Sequence, residues 1–66
     1  NFQKALDYFV RALELDPNNF EYLSITAQLA ETVGDTDRLH KSLKKTLEID
    51  PYNEQVKAKL ATIQKD

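Results

Sequence analysis

The sequence predicts an all-α fold of four helices arranged as antiparallel helix–turn–helix repeats. Three observations predict it. Apolar residues recur every three to four positions, a segment around Pro17 recurs about 34 residues later around Pro51, and Gly34 lies between two periodic segments. The composition agrees, because 41% of the 66 residues are apolar, 30% are charged and the net charge is −2. A chain of this length builds one small core, so we expect a single domain.

The internal repeat is clearest around the two prolines. Residues 13–19 have the sequence LELDPNN and residues 47–53 have the sequence LEIDPYN, so most of the positions are identical. Upstream, the same offset aligns Phe9 with Leu43 and Lys4 with Arg38. A repeat of this length is typical of stacked helix pairs, in which each pair buries its apolar face against the next.

The ends of the helices are predicted from local signals. A residue before proline is disfavoured in the α conformation, so two helices should end near Asp16 and Asp50. Gly34 is the only glycine and lies where a helix would end in the left-handed conformation. These signals predict helices at 2–15, 20–33, 36–49 and 54–65. The short connections between them place consecutive helices antiparallel.

The starts of the helices are predicted from capping residues. Either Asn18 or Asn19 can cap the second helix, and Asn18 with Glu21 has the spacing of a capping box. The third helix can begin at either of the two residues after Gly34. The candidate caps there and at the fourth helix are Asp35 or Thr36, and Asn53.

The apolar faces predict how the helices pack. The first helix has one stripe, consisting of Phe2, Ala5, Leu6, Phe9, Ala12 and Leu13. The second has two, consisting of Tyr22, Ile25, Leu29 and Val33, and of Leu23, Ala27 and Ala30. The third has the narrow stripe Leu39, Leu43 and Leu47, and the fourth has Val56, Leu60 and Ile63. A helix that is apolar on two sides packs between two neighbours, so we expect the second helix to be internal and the fourth to be a terminal cap.

These residues resemble the tetratricopeptide repeat, a helix–turn–helix unit of about 34 residues. The resemblance rests on Phe2, Ala5, Phe9, Ala12, Pro17, Ala27, the Gly34-Asp35 turn and the segment Leu47 to Pro51. It implies the second helix of a partial repeat at 1–17, a full repeat at 18–51 and a capping helix at 52–66. It departs from the family at Thr26 and Ala30, which are smaller than expected, and at Leu39, which is larger. Because these changes lie on facing helices, we expect their volumes to compensate.

The resemblance implies a protein–protein interaction scaffold, because the family forms superhelices whose concave groove binds peptides or helices of partner proteins. The first helix of each repeat supplies that groove. The positions that match here are Glu21, Ser24, Gln28 and Thr32 on the second helix and Gln55 and Lys59 on the fourth. The alternative is that these are only solvated polar residues. Family members that bind chaperone tails use a clamp of Lys, Arg and Asn side chains, of which only Lys59 has a counterpart, so the sequence does not favour that ligand.

A second hypothesis is self-association. If the chain begins at the second helix of a repeat, one side of its first helix lacks its usual cover. Phe2, Phe9 and Leu13 cannot all be shielded by the second helix alone. An uncovered apolar face is typical of an interaction site, so these residues are candidates for contacts in a homo-oligomer.

A third hypothesis, which we favour less, is nucleic-acid binding through the basic residues of the third helix. These are Arg38, Lys41, Lys44 and Lys45. The alternative is an ordinary solvated face, because Glu48 shares that face and no aromatic residue lies among the cations for stacking on bases.

No catalytic, cofactor or metal motif is apparent, so we expect no enzyme activity, no cofactor and no metal site. The acidic pair Glu14 and Asp16 recurs as Glu48 and Asp50, so the repeat accounts for it without chemistry. No apolar run is long enough to span a membrane. The absence of cysteine, of a signal peptide and of a membrane span in this sequence favours the cytoplasm weakly.

Overall fold

A computed structural model of the chain describes residues 1–63, which form four helices. The helices are α1 (Phe2–Leu15), α2 (Phe20–Val33), α3 (Thr36–Ile49) and α4 (Glu54–Ile63). Each helix packs against the next one along the chain. Because the connections between them are short, consecutive helices run antiparallel. No strand occurs within residues 1–63. The predicted all-α fold of four helices is therefore confirmed.

The first three helices have the predicted bounds, and α4 begins where it was predicted to begin. The last described residue of α4 is Ile63, so the rest of the predicted 54–65 helix lies outside the described residues. In α1 and α3, the segment before proline leaves the helical conformation at Asp16 and Asp50, as proline sterics require.

The caps distinguish between the alternatives that the sequence left open. The side chain of Asn19 accepts a hydrogen bond from the backbone N–H of Tyr22 at 3.0 Å, so Asn19 caps α2. The predicted capping box between Asn18 and Glu21 is wrong, because Asn18 lies in the turn before the cap. The Asn19 side chain also donates to Asp16, which ties the cap to the end of α1.

In the turn between α2 and α3, Gly34 ends the first of these helices and Asp35 begins the second. Gly34 has a φ of 81°, in the left-handed region that favours glycine. The N–H of Gly34 donates to the carbonyl of Glu31 at 3.2 Å and that of Asp35 donates to the carbonyl of Ala30 at 2.8 Å, which is the Schellman pattern. The side chain of Asp35 then accepts from the N–H of Arg38 and caps α3. The two helices are therefore joined with their backbone ends hydrogen-bonded.

Helix α2 lies at the centre of the packing, between α1 and α3. This confirms that it is an internal helix. The core that it shares with its neighbours consists of Leu6, Ala27, Ala30, Leu39, Leu43 and Leu60, with Val10, Leu29, Val33, Leu47, Val56 and Ile63 packed against it. Burying such side chains contributes about 1.5–3 kcal/mol for each large one. Helix α4 contributes one buried residue, Leu60, and is otherwise more open, as expected for a terminal helix.

Helices α2 and α3 also contain buried polar residues that the apolar stripes did not predict. Thr26 on α2 is fully buried, and Ser42 and Thr46 on α3 are 4% exposed. The large Leu39 and the small Ala30 are both buried in the same core. The opposite changes in side-chain size therefore occur within one packed interface, as the compensation of their volumes requires.

Candidate functional site

A hollow lined by three helices lies between α2 and α4. We call it the α2–α4 groove. It has a volume of about 350 Å³ and is floored by Leu39, Leu43 and Thr46 of α3. Its walls are formed by Phe20, Ser24, Ala27, Gln28 and Glu31 of α2, and by Asn53, Gln55, Val56 and Lys59 at the start of α4. The antiparallel packing of both helices on α3 positions these side chains opposite one another.

The walls of the α2–α4 groove carry side-chain amides above an apolar floor. Gln28 and Gln55 are exposed, and each can both donate and accept hydrogen bonds. The side-chain oxygen of Asn53 accepts a hydrogen bond from the backbone N–H of Val56 at 3.0 Å, and its amino group is a further hydrogen-bond donor. Such amides match the alternating donors and acceptors of a peptide backbone.

One ion pair spans the α2–α4 groove. The Nζ atom of Lys59 on α4 lies 2.6 Å from the Oε2 atom of Glu31 on α2. Both side chains are about half exposed, at 43% and 52%, so the pair is screened by water and contributes little stability. The pair connects the two walls of the groove at that point. Its charges also remain accessible to a ligand.

The structure places four of the six groove candidates in this hollow. Ser24, Gln28, Gln55 and Lys59 line it. Glu21 and Thr32 do not. Glu21 lines an adjoining hollow with Ile25. The hydroxyl of Thr32 donates to the carbonyl of Gln28 in its own helix. Both are exposed on the same face of α2 as Gln28, so the helical period alone cannot show that they lie outside the hollow.

Sequence reasoning missed two polar residues of the groove walls, Glu31 and Asn53. The sequence showed Glu31 only as a charged residue of α2 and Asn53 only as a candidate cap of α4. Their role in the groove depends on how α4 is rotated against α2, which no local spacing indicates. The Glu31–Lys59 pair joins residues 28 positions apart.

A second surface is an uncovered apolar face on α1 and the start of α2. Phe2, Tyr8 and Leu15 are 62%, 68% and 90% exposed. A shallow hollow of about 480 Å³ on this face is lined by Tyr8, Arg11, Ala12, Leu15, Asp16 and Tyr22. On this face Tyr8 and Leu15, which were not predicted, extend the apolar stripe of α1 beside Ala5 and Ala12. We call the surface formed by these four residues the outer face of α1.

The residues predicted for self-association do not form one surface. Phe2 is exposed on α1. Phe9 is half-buried, with its ring 5.2 Å from that of Tyr8 and 5.8 Å from that of Tyr22, both edge-on. Leu13 points instead toward α3 and lines a different hollow. Three residues of one helical stripe therefore differ in exposure and neighbours, because the stripe is buried at Leu6 and open at Phe2.

A third surface is a cleft between α1 and α3, which we call the α1–α3 cleft. It has a volume of about 190 Å³, and it is lined by Val10, Leu13 and Pro17, by Leu23, and by Arg38, Lys41, Ser42 and Lys45. Three of the four predicted basic residues therefore share one wall. The fourth, Lys44, does not line the cleft and instead lines a hollow with Leu47 and Leu60.

Within residues 1–63 no group of three or more His, Cys, Asp and Glu side chains is placed to hold a metal ion. In the same part of the chain no helix has the length and apolar character needed to cross a bilayer. No family model matches the sequence, and no curated protein is significantly similar to it.

Proposed function

We propose that this chain is a protein–protein interaction scaffold that binds a peptide or helix of a partner protein in the α2–α4 groove. The observation that carries the proposal is the groove itself, in which exposed amide and charged side chains of α2 and α4 stand above an apolar floor. Apolar surface provides affinity and a few placed polar groups provide orientation, which is the usual composition of a ligand site.

The resemblance to the tetratricopeptide repeat supports the same surface. In that family the first helix of each repeat lines the concave groove. By the repeat boundaries given above, the first helices here are α2 and α4. Those are the two helices that wall the groove. The resemblance and the groove geometry thus favour one location, although they derive from different observations.

Two glutamines provide a test of the groove. We expect the double variant Q28A/Q55A to weaken binding of selected peptides about tenfold, because it removes two exposed amides that face the ligand. The peptides are first selected from a random 12-residue display library on the wild-type chain, and affinities are then measured by fluorescence anisotropy. Helix content measured by circular dichroism should not change, because both side chains are exposed.

The matched control for this test is T32A, which alters an exposed polar residue of α2 outside the groove. It should leave the affinity unchanged within twofold. If the selected peptides bind Q28A/Q55A as tightly as the wild-type chain, the groove is not the binding site. If no peptide is enriched over an unrelated helical protein, the chain is not a peptide-binding scaffold.

A second candidate function is self-association through the outer face of α1. The exposure of Tyr8 and Leu15 supports it, because contiguous exposed apolar side chains are typical of an interaction site. A two-fold contact would bring the same face of two copies together. Of the residues predicted from sequence for self-association, this proposal omits Leu13 and keeps Phe2 and Phe9 at the edge of the outer face of α1. Its centre is formed by Tyr8, Ala12 and Leu15.

We expect the variant Y8K to shift the chain toward monomer in sedimentation equilibrium, with at least a tenfold weaker association constant, because it places a charge in the contact. The control is Y52K. Tyr52 is a tyrosine of similar exposure, at 83%, in the connection before α4. A wild-type chain that stays monomeric at millimolar concentration, or an equal effect of both variants, would exclude association through this face.

A further inference from the structure

The α1–α3 cleft combines an apolar floor with a charged wall. Val10 and Leu13 of α1 are half-buried, and Leu23 of α2 closes the bottom of the cleft. Aliphatic carbon is thus accessible between two helices, in a hollow with room for one large apolar side chain. None of the described residues that line it is aromatic.

The cations follow a regular spacing along one wall. Arg38, Lys41 and Lys45 lie at i, i+3 and i+7 on α3, so they stand one above another along the cleft. Among residues 1–63, Arg38 and Lys41 have no ion-pair partner, while Lys45 lies 3.3 Å from Glu48 of its own helix. That pair is exposed, so another carboxylate can replace Glu48 at little cost.

The composition does not explain this positive wall, and the repeat explains only part of it, because two of its three cations, Arg38 and Lys45, have a basic counterpart one period earlier. The chain is acidic overall, with a net charge of −2. One period earlier, the position of Lys41 is occupied by Asp7, so the internal repeat does not require a cation there. The positive charge is therefore local to the α1–α3 cleft, and it is complementary to an acidic ligand.

We propose that the α1–α3 cleft is a second docking site, and that it binds an acidic peptide segment of a partner protein. One apolar side chain of the peptide rests on Val10 and Leu13, and carboxylates on either side of it bind Arg38 and Lys41. Charge-assisted bonds from an arginine to a carboxylate are among the stronger polar contacts. Charge complementarity of this kind raises both the association rate and the specificity.

The floor favours a peptide over a nucleic acid. Phosphates would bind the same cations, but single-stranded bases require flat aromatic surfaces on which to stack. The described lining of the cleft offers aliphatic side chains instead. An acidic peptide with a leucine, isoleucine or valine uses both the charge and the apolar surface.

The proposed site is separate from the α2–α4 groove. The two sites use different sides of α2, because Leu23 faces the cleft while Ser24 and Gln28 line the groove. A partner can therefore occupy one without displacing a ligand from the other. The proposal stands or fails independently of the proposed function.

The test compares two lysines of the same helix. Lys41 lines the cleft, and Lys44 is an exposed lysine one turn further along α3 that lines a different hollow, so K41E and K44E change the net charge equally. The probes are three sets of 12-residue peptides: acidic with a central leucine, acidic with a central serine, and neutral with a central leucine. A 12-nucleotide single-stranded RNA is the fourth probe. Affinities are measured by fluorescence anisotropy at physiological salt.

We expect the acidic leucine peptides to contain the tightest binders, K41E to weaken them about tenfold, and K44E to change them less than twofold. Equal losses in K41E and K44E would show nonspecific attraction and overturn the proposal. Equal affinity for the leucine and serine peptides would exclude the apolar floor, and tighter binding of the RNA would assign the cleft to nucleic acid. If none of the three peptide sets binds, the proposal is also overturned. The Q28A/Q55A variant should retain this binding even if the groove proposal fails.

Discussion

Replacing Leu6 with alanine is expected to remove about 3 kcal/mol of the free energy of unfolding, the largest effect of any single change that we predict. Leu6 is 1% exposed and is the one fully buried residue of α1. It joins α1 to the core that includes Ala27 and Ala30 of α2. Removing its branched end leaves a cavity, and a chain of this size has about 3–10 kcal/mol of stability in total. Urea unfolding monitored by circular dichroism measures the loss.

The matched control is L15A. Leu15 is on the same helix but is 90% exposed, so the same chemical change removes no buried surface. The free energy of unfolding of the L15A variant should lie within about 0.5 kcal/mol of the wild-type value. Alanine has a slightly higher helix propensity than leucine, so a loss in L6A cannot be attributed to a weaker helix. Equal midpoints for L6A and L15A would contradict the packing of α1 on α2.

The bounds of the helices were predictable from sequence because local chemistry determines them. The conformational restriction before Pro17 and Pro51 ends α1 and α3 within the chain itself, without help from tertiary contacts. Gly34 does the same for α2, since a positive φ is strained for most other residues. The cap of α2 was harder to assign because Asn18 and Asn19 are chemically equivalent, and only the path of the turn distinguishes them.

The surfaces were predicted less completely because they depend on how the helices are rotated against one another. Periodicity places Lys41, Lys44 and Lys45 on one broad polar side of α3. It does not indicate that α1 borders Lys41 and Lys45 while α4 borders Lys44. The same limit applies to Glu31, whose partner Lys59 lies two helices later. Local spacing determines on which side of its helix a side chain lies. Which neighbouring helix that side chain contacts is determined by packing.

The apolar stripes did not include the buried polar residues, and one of these residues leads to the second large prediction. Thr26 is fully buried, and its hydroxyl has no hydrogen-bond partner among the described residues. A buried polar group without a partner costs about 1–3 kcal/mol. Valine has nearly the same shape and helix propensity as threonine but has a methyl group in place of the hydroxyl. We therefore expect T26V to raise the free energy of unfolding by about 1 kcal/mol or more.

In thermal unfolding, such a gain raises the midpoint by roughly 4–8 °C for each kcal/mol in a domain of this size. The matched control is T46V. Thr46 is also a buried threonine, on the facing helix, and is 4% exposed. Its hydroxyl donates to the carbonyl of Ser42 at 2.8 Å. The same substitution there removes a hydrogen bond worth about 1 kcal/mol, which offsets the gain from the added methyl group.

The comparison of the two variants tests the effect of the hydroxyl, because both replace the hydroxyl of a buried threonine with the same methyl group. We expect T26V to be more stable than T46V by about 1 kcal/mol or more. Equal midpoints would mean that the hydroxyl of Thr26 is satisfied in solution, for example by a water molecule or by the carbonyl one turn earlier in α2. A less stable T26V would mean that the hydroxyl contributes to packing between α2 and α3. Either result would contradict an uncompensated polar group at the centre of this fold.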